Sequence, residues 1–151
     1  MEISEITDYL YIAPRKAVVE QDGLKDLEPG LLIDMIAYRR PPRLPEGLQT
    51  KTLWLRTFDF PLLPIPVRTL RRGVEAALPV IQSGRSVLVY CDAGRRRSVA
   101  MAAAILIAKG YTAHEAMELI TEKRAVADPW AGHIQRQIRK YEALVHEQQS
   151  L

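Results

Sequence analysis

The sequence predicts an α/β fold, a single domain in which a central, mostly parallel β-sheet is flanked by helices. Three observations predict it. Short aliphatic runs alternate with amphipathic helical stretches, the order that builds parallel sheets covered by helices. Leu31-Leu32-Ile33-Asp34-Met35-Ile36 and Val87-Leu88-Val89-Tyr90 are runs rather than alternations, as in strands buried on both faces. The 151 residues carry no linker or internal repeat, a length suited to one core.

Leu10 to Ala13 reads as a first strand, followed by a short helix over Lys16 to Leu27 and a turn at Pro29-Gly30. The Leu31–Ile36 strand leads into Arg39-Arg40-Pro41-Pro42-Arg43-Leu44-Pro45, a loop stiffened by prolines that lack the donor a central strand needs. Thr52 to Leu55 is the next strand, and Arg56 to Pro66 reads as irregular. A helix over Val67 to Gln82 puts Val67, Leu70, Val74, Leu78 and Ile81 on one face and stops at Ser83-Gly84. Ser86 to Tyr90 is the strand that delivers Cys91. The remainder is helical. Arg97 to Lys109 ends at Gly110; Thr112 to Arg124 starts with Thr112 as N-cap and Glu115 completing a capping box; Gly132 to His146 follows.

Composition bounds the function. Lys and Arg exceed Asp and Glu by 21 to 18, too little to imply a nucleic-acid partner. Met1-Glu2-Ile3-Ser4-Glu5 is acidic and lacks the apolar stretch of a leader, and no apolar run is long enough to span a bilayer. The expectation is a cytoplasmic protein. A single cysteine excludes an intramolecular disulfide and leaves an oxidised Cys91 no resolving thiol in its own chain. The absence of Asn and the excess of Arg over Lys fit a thermophile and a GC-rich genome equally well.

The chemistry concentrates at that cysteine. Cys91-Asp92-Ala93-Gly94-Arg95-Arg96-Arg97-Ser98 is a Cys-x5-Arg-Ser pattern at the junction of a strand and a helix. A thiolate needs positive surroundings, and a tight loop entering a helix N-terminus aims backbone N–H groups and the positive end of the helix dipole at one point. The same concavity suits a phosphate dianion. Asp92, Ala93, Gly94, Arg95 and Arg96 would line it, with Gly94 letting the backbone close. Arg97 would fork onto two phosphate oxygens, and Ser98 would donate to the sulfur when it leaves. A buried, inert cysteine beside a solvated Arg cluster is the plainer alternative; the strand, Gly and helix context argues against it.

These residues resemble the cysteine-dependent protein tyrosine phosphatase superfamily, and within it the small dual-specificity branch, whose signature is His-Cys-x5-Arg-Ser/Thr. Ile6-Thr7-Asp8-Tyr9-Leu10-Tyr11-Ile12 is similar to the family's opening strand. Glu122-Lys123-Arg124 through Gln137-Ile138-Arg139-Lys140-Tyr141-Glu142 is similar to its closing loop and helix, so the resemblance covers nearly the whole chain. Tyr90 departs from it, standing where the family has a His that helps fix the loop and the thiolate. The resemblance implies a dual-specificity phosphatase-like fold, a cysteinyl-phosphate intermediate, no metal or cofactor, and an Asp general acid on a movable loop ahead of the Cys strand. Asp59 matches that place, 32 residues before Cys91 and the only acid between Glu46 and Glu75.

The expected substrate is a phosphorylated protein, on tyrosine and by extension serine or threonine, or a small phosphomonoester. Arg95 and Arg96 also motivate a polyanion: a phosphoinositide, an inositol polyphosphate or an RNA 5′ triphosphate. A rhodanese-like transferase has a Cys loop one residue shorter. A phosphoprotein-binding module without turnover is kept open by Tyr90. Asp92 is expected to pair with Arg95 or Arg96 or to face solvent. His114, His133 and His146 share no metal-ligand spacing and read as surface or packing residues. Gln135 or Gln137 is a candidate for positioning the hydrolytic water. Arg39, Arg40 and Arg43 read as a solvated basic loop.

Overall fold

The computed structural model describes residues 2–21 and 23–149. Its strands are β1 (Ser4–Thr7), β2 (Leu10–Pro14), β3 (Leu31–Asp34), β4 (Lys51–Trp54) and β5 (Val87–Cys91). They form one sheet in the order β1-β2-β5-β3-β4. Every pairing is parallel except β1 with β2. The helices are α1 (Arg15–Val19), α2 (Leu24–Leu27), α3 (Val67–Gln82), α4 (Arg97–Ala108), α5 (Ala113–Lys123) and α6 (Gly132–Gln149).

The aliphatic run over 87–91 is buried at every position because β5 lies between β2 and β3. Register then fixes the site. Pro14 on β2 stands opposite Cys91, and Asp34 on β3 stands opposite Tyr90, so the three strands end together at one edge. Ligands in open α/β sheets bind beyond that edge. Behind it, α4 is buried from Arg97 to Ile107. It packs on β2 and β5 and against α3, α5 and α6. Its Ala-rich sequence permits this, since small side chains let several elements approach one helix at once. Gly73 on α3 serves the same packing: a Cβ there would overlap Met101.

Three expectations are corrected. The opening strand is two antiparallel strands, β1 and β2, turning at Asp8-Tyr9. The single helix over Lys16 to Leu27 is two short helices, because Gln21 and Gly23 take positive φ of 60° and 79° between them. Asp22 lies outside the described residues. The last helix runs three residues past His146, to Gln149.

Candidate active site

Cys91 is 2% exposed, at the mouth of the loop joining β5 to α4, with its Sγ 3.2 Å from Ser98 Oγ. Every carbonyl of that loop is taken by a donor outside it. Arg15 N–H donates to Asp92 O and Asp128 N–H to Arg95 O; Ala100 N–H bonds Arg96 O within the first turn of α4. The remaining two belong to Arg124, whose Nε donates to Gly94 O at 2.7 Å and Nη2 to Ala93 O at 3.1 Å. In a trans peptide the N–H points opposite the C=O, so tying five successive carbonyls turns the amides of residues 93–97 the other way. Gly94 has φ +63°, and a Cβ on it would lie 2.9 Å from the Ala13 carbonyl, so the close approach of β2 requires glycine.

Arg124 is itself buried, with Nη1 donating to Glu2 O and Ser4 Oγ. Burial lowers its pKa; the nearby Cys91 and Glu2 oppose that shift. It thus joins β1, the Cys loop and the end of α5. The sequence marked its segment only as a closing loop.

Arg97 is 6% exposed. Its Nη1 donates to Thr57 O at 3.3 Å and Met35 O at 3.4 Å, and its Nη2 to Asp92 Oδ2 at 3.3 Å. Nε is buried with no protein partner, a donor open to an incoming oxyanion. Asp92 therefore differs from expectation. Its Oδ2 pairs with Arg97 and accepts the Tyr38 hydroxyl rather than meeting Arg95 or Arg96, because Arg95 and Arg96 turn to Asp128 at 3.8 and 3.1 Å.

Below the loop, the Tyr90 hydroxyl donates to Asp34 Oδ2 at 2.7 Å, and the Ile36 N–H donates to Asp34 Oδ1 at 2.8 Å. Both side chains are fully buried. Burial raises the pKa of Asp34, against the hydrogen bonds from Tyr90 and Ile36 and the charges of Arg15 and Arg97. Burial also raises that of the Tyr90 phenol, and the Asp34 bond adds to the shift. A carboxylate in an aliphatic strand was the signal for this pair. Buried acids demand partners, but which partner depends on the neighbouring strand.

Asp59 sits between Phe58 and Phe60, and its carboxyl reaches two elements. Its Oδ1 lies 2.7 Å from His133 Nε2 on α6, and its Oδ2 lies 3.5 Å from Arg96 Nη1 on the Cys loop. His133, expected to be a surface or packing residue rather than a metal ligand, is buried and packs against this carboxyl. Gln137 Nε2 donates to Ile65 O at 2.7 Å and Gln135 Nε2 to Trp130 O at 3.4 Å, so both candidate glutamines hold backbone. His114 pairs with Glu118. Arg39, Arg40 and Arg43 are exposed. Among the described residues no cluster of His, Cys, Asp and Glu could hold a metal ion, and no helix is long and apolar enough to cross a membrane.

The buried Cys91, the open Arg97 Nε and the Asp59 carboxyl thus gather around one loop at the carboxyl edge of a mostly parallel sheet. Residues 10–143 match the model of the dual specificity phosphatase catalytic domain, and the chain belongs to that family. It is 40% identical over 81 residues, 53% of its length, to a rat phosphatidylglycerophosphatase and protein-tyrosine phosphatase 1, covering 42% of that protein. It is 36% identical over 77 residues to mouse dual specificity phosphatase 28, covering 50% of this chain and 45% of that one. Both matches span less than half the length of these relatives. Human dual specificity phosphatase 28 is 26% identical over 143 residues, 94% of this chain and 78% of that protein. Among solved structures, a mouse putative dual specificity phosphatase complexed with zinc tungstate superposes with a TM-score of 0.87 at 26% identity, over 97% of this chain and 90% of that one. PTPMT1 in complex with PI(5)P superposes with a TM-score of 0.82 at 21% identity, over 98% and 99%, a likeness of fold.

Proposed function

We propose that the chain is a cysteine-dependent phosphomonoester hydrolase that dephosphorylates proteins on tyrosine and on serine or threonine. The observation that carries this reading is the outward tethering of all five loop carbonyls, which leaves a ring of amides and the open Arg97 Nε for a phosphate. In the first step Cys91 sulfur attacks phosphorus. The S–P bond forms as the P–O bond to the leaving group breaks, and Asp59 gives its proton to the departing oxygen. Arg97 and the loop amides hold the three equatorial oxygens, so Asp92 must release Arg97 Nη2 when phosphate arrives. In the second step water attacks phosphorus, Asp59 takes a proton from it, and the electron pair of the S–P bond returns to sulfur. Ser98 Oγ, 3.2 Å away, stabilises that sulfur by hydrogen bonding. No metal takes part in this scheme. The tungstate in the mouse relative supports it, being a tetrahedral oxyanion like phosphate.

A second reading, a membrane-borne phospholipid as substrate, is favoured by one feature. Phe58, Phe60, Leu62 and Leu63 around Asp59 are all exposed, Leu62 by 80%. Exposed apolar side chains on a loop that Arg96 contacts suit a bilayer interface. PTPMT1, crystallised with PI(5)P, gives that reading a relative of the same fold.

Hydrolysis of p-nitrophenyl phosphate by wild type and Cys91→Ser tests the mechanism. The Ser variant should lose turnover while still binding tungstate, and Arg97→Lys should fail in both because an ammonium cannot fork. Substantial turnover by Cys91→Ser would remove the covalent route. Phosphopeptides assayed beside phosphoinositide vesicles then separate the two substrate readings.

A further inference from the structure

We propose that His133 is a positioning residue for the proton on Asp59, selecting which carboxyl oxygen carries it. The proposal rests on the reading of Asp59 as general acid. A protonated carboxyl group has one oxygen that only accepts and one that bears the proton. The tighter contact at this carboxyl is His133 Nε2 on Oδ1 at 2.7 Å, against 3.5 Å for Arg96 Nη1 on Oδ2. With Nε2–H donating, Oδ1 is committed as acceptor and the proton falls to Oδ2. That oxygen faces Arg96, and through it the Cys loop. Once the proton has gone to the leaving group, the same bond to Oδ1 keeps Oδ2 aimed to collect the next proton from water.

The surroundings suit this role. His133 is 9% exposed on a helix whose Ile134 and Ile138 are core residues, whereas Asp59 lies on a loop flanked by exposed Phe58 and Phe60. A side chain on a rigid element can hold one on a loop, but not the reverse. His133 and Gln137 are four residues apart and share a face of α6. Gln137 holds the far end of the acid loop through Ile65 O at 2.7 Å. One helix face therefore grips the loop at both ends. The titratable and charged groups facing Asp59 are the His133 imidazole and the Arg96 guanidinium, with Asp128 behind Arg96 at 3.1 Å.

The test is the ratio of rates on two esters in one protein sample, which an unfolded fraction cannot alter because it lowers both equally. Phosphotyrosine needs a proton at its leaving oxygen; an activated fluorinated aryl phosphate needs little. A positioned acid is worth about 10²–10⁴, so His133→Ala should slow phosphotyrosine hydrolysis by about 10–100-fold and the activated ester by no more than about twofold. His133→Gln keeps an N–H near the ε position and should recover most of the loss. In an Asp59→Asn background, His133→Ala should add nothing. Equal losses on both esters, no recovery by Gln, or an additive loss in that background would each overturn the proposal. An Asp59→Asn variant with equal losses on both esters removes the general-acid reading itself, and this inference with it. An Asp59→Asn variant that depends on leaving group, beside a His133→Ala variant that does not, removes this inference alone.

Discussion

At the residue scale the Tyr90–Asp34 pair is the most exacting contact in the core. The folded state holds the Asp34 proton more tightly than the unfolded chain, because burial penalises the carboxylate. The resulting stability is fully present below the ordinary carboxylate value of 3.8 and is lost as pH rises through the raised folded value. Asp34→Asn does not titrate, so the stability difference should move in the Asn variant's favour between acid and neutral pH. Urea midpoints at both pH values measure this; a constant difference contradicts it. Tyr90→Phe leaves a buried acceptor without its donor and should cost about 1–3 kcal/mol, read from the same melts. The placement of Cys91, Arg97 and Ser98 around one loop was legible because their spacing is local to it. Asp34, His133 and Arg124 were not assigned these roles, because their partners come from other strands, loops and helices. The arginine that Asp92 pairs with, Arg97 rather than Arg95 or Arg96, was missed for the same reason, since Tyr38 enters from the loop after β3.

At the element scale, α5 shows how directly a helix start is written. Thr112 Oγ1 accepts from Glu115 N–H at 3.1 Å, and Glu115 Oε1 accepts from Thr112 N–H at 2.8 Å. The backbone bond lowers the Glu115 pKa. Ala113 N–H then donates to Glu142 Oε2 on α6 at 2.6 Å. Thr112→Ala should therefore cost about 1 kcal/mol, measured as a lower urea midpoint with unchanged phosphatase activity. Caps and periodicity made α3, α4 and α5 legible to within about a residue, as is usual for such boundaries. β1 escaped because four residues of which only Ile6 is buried carry little periodicity ahead of a turn. The break between α1 and α2 escaped because Gln21 adopts a conformation that side-chain residues rarely take.

At the scale of the whole molecule, the site belongs to the entire chain. Arg124 reaches Glu2, Arg97 reaches Met35 and Thr57, and His133 reaches Asp59. α6 also packs on α4 and α3, and its Ile134, Ile138 and Tyr141 are buried. Uncovering three such side chains forfeits about 5–9 kcal/mol, comparable to the whole stability of a typical domain. A chain ending at Ala131 should accordingly show no cooperative urea transition and no tungstate binding. A sigmoidal melt from that fragment would show that α6 is dispensable to the core.

The central position of β5 governs the order in which the site is assembled during synthesis. Its two neighbours are made before it, while α4, Arg124 and α6 are made after it. A nascent chain that has just exposed Cys91 to the cell has neither the arginine that turns the loop carbonyls outward nor the helix that holds the acid. Pairings between distant segments form slowly, and here they await α6, made after β5. The loop that carries Cys91 is thereby left without its tethers until Arg124 and α6 have been made and have packed.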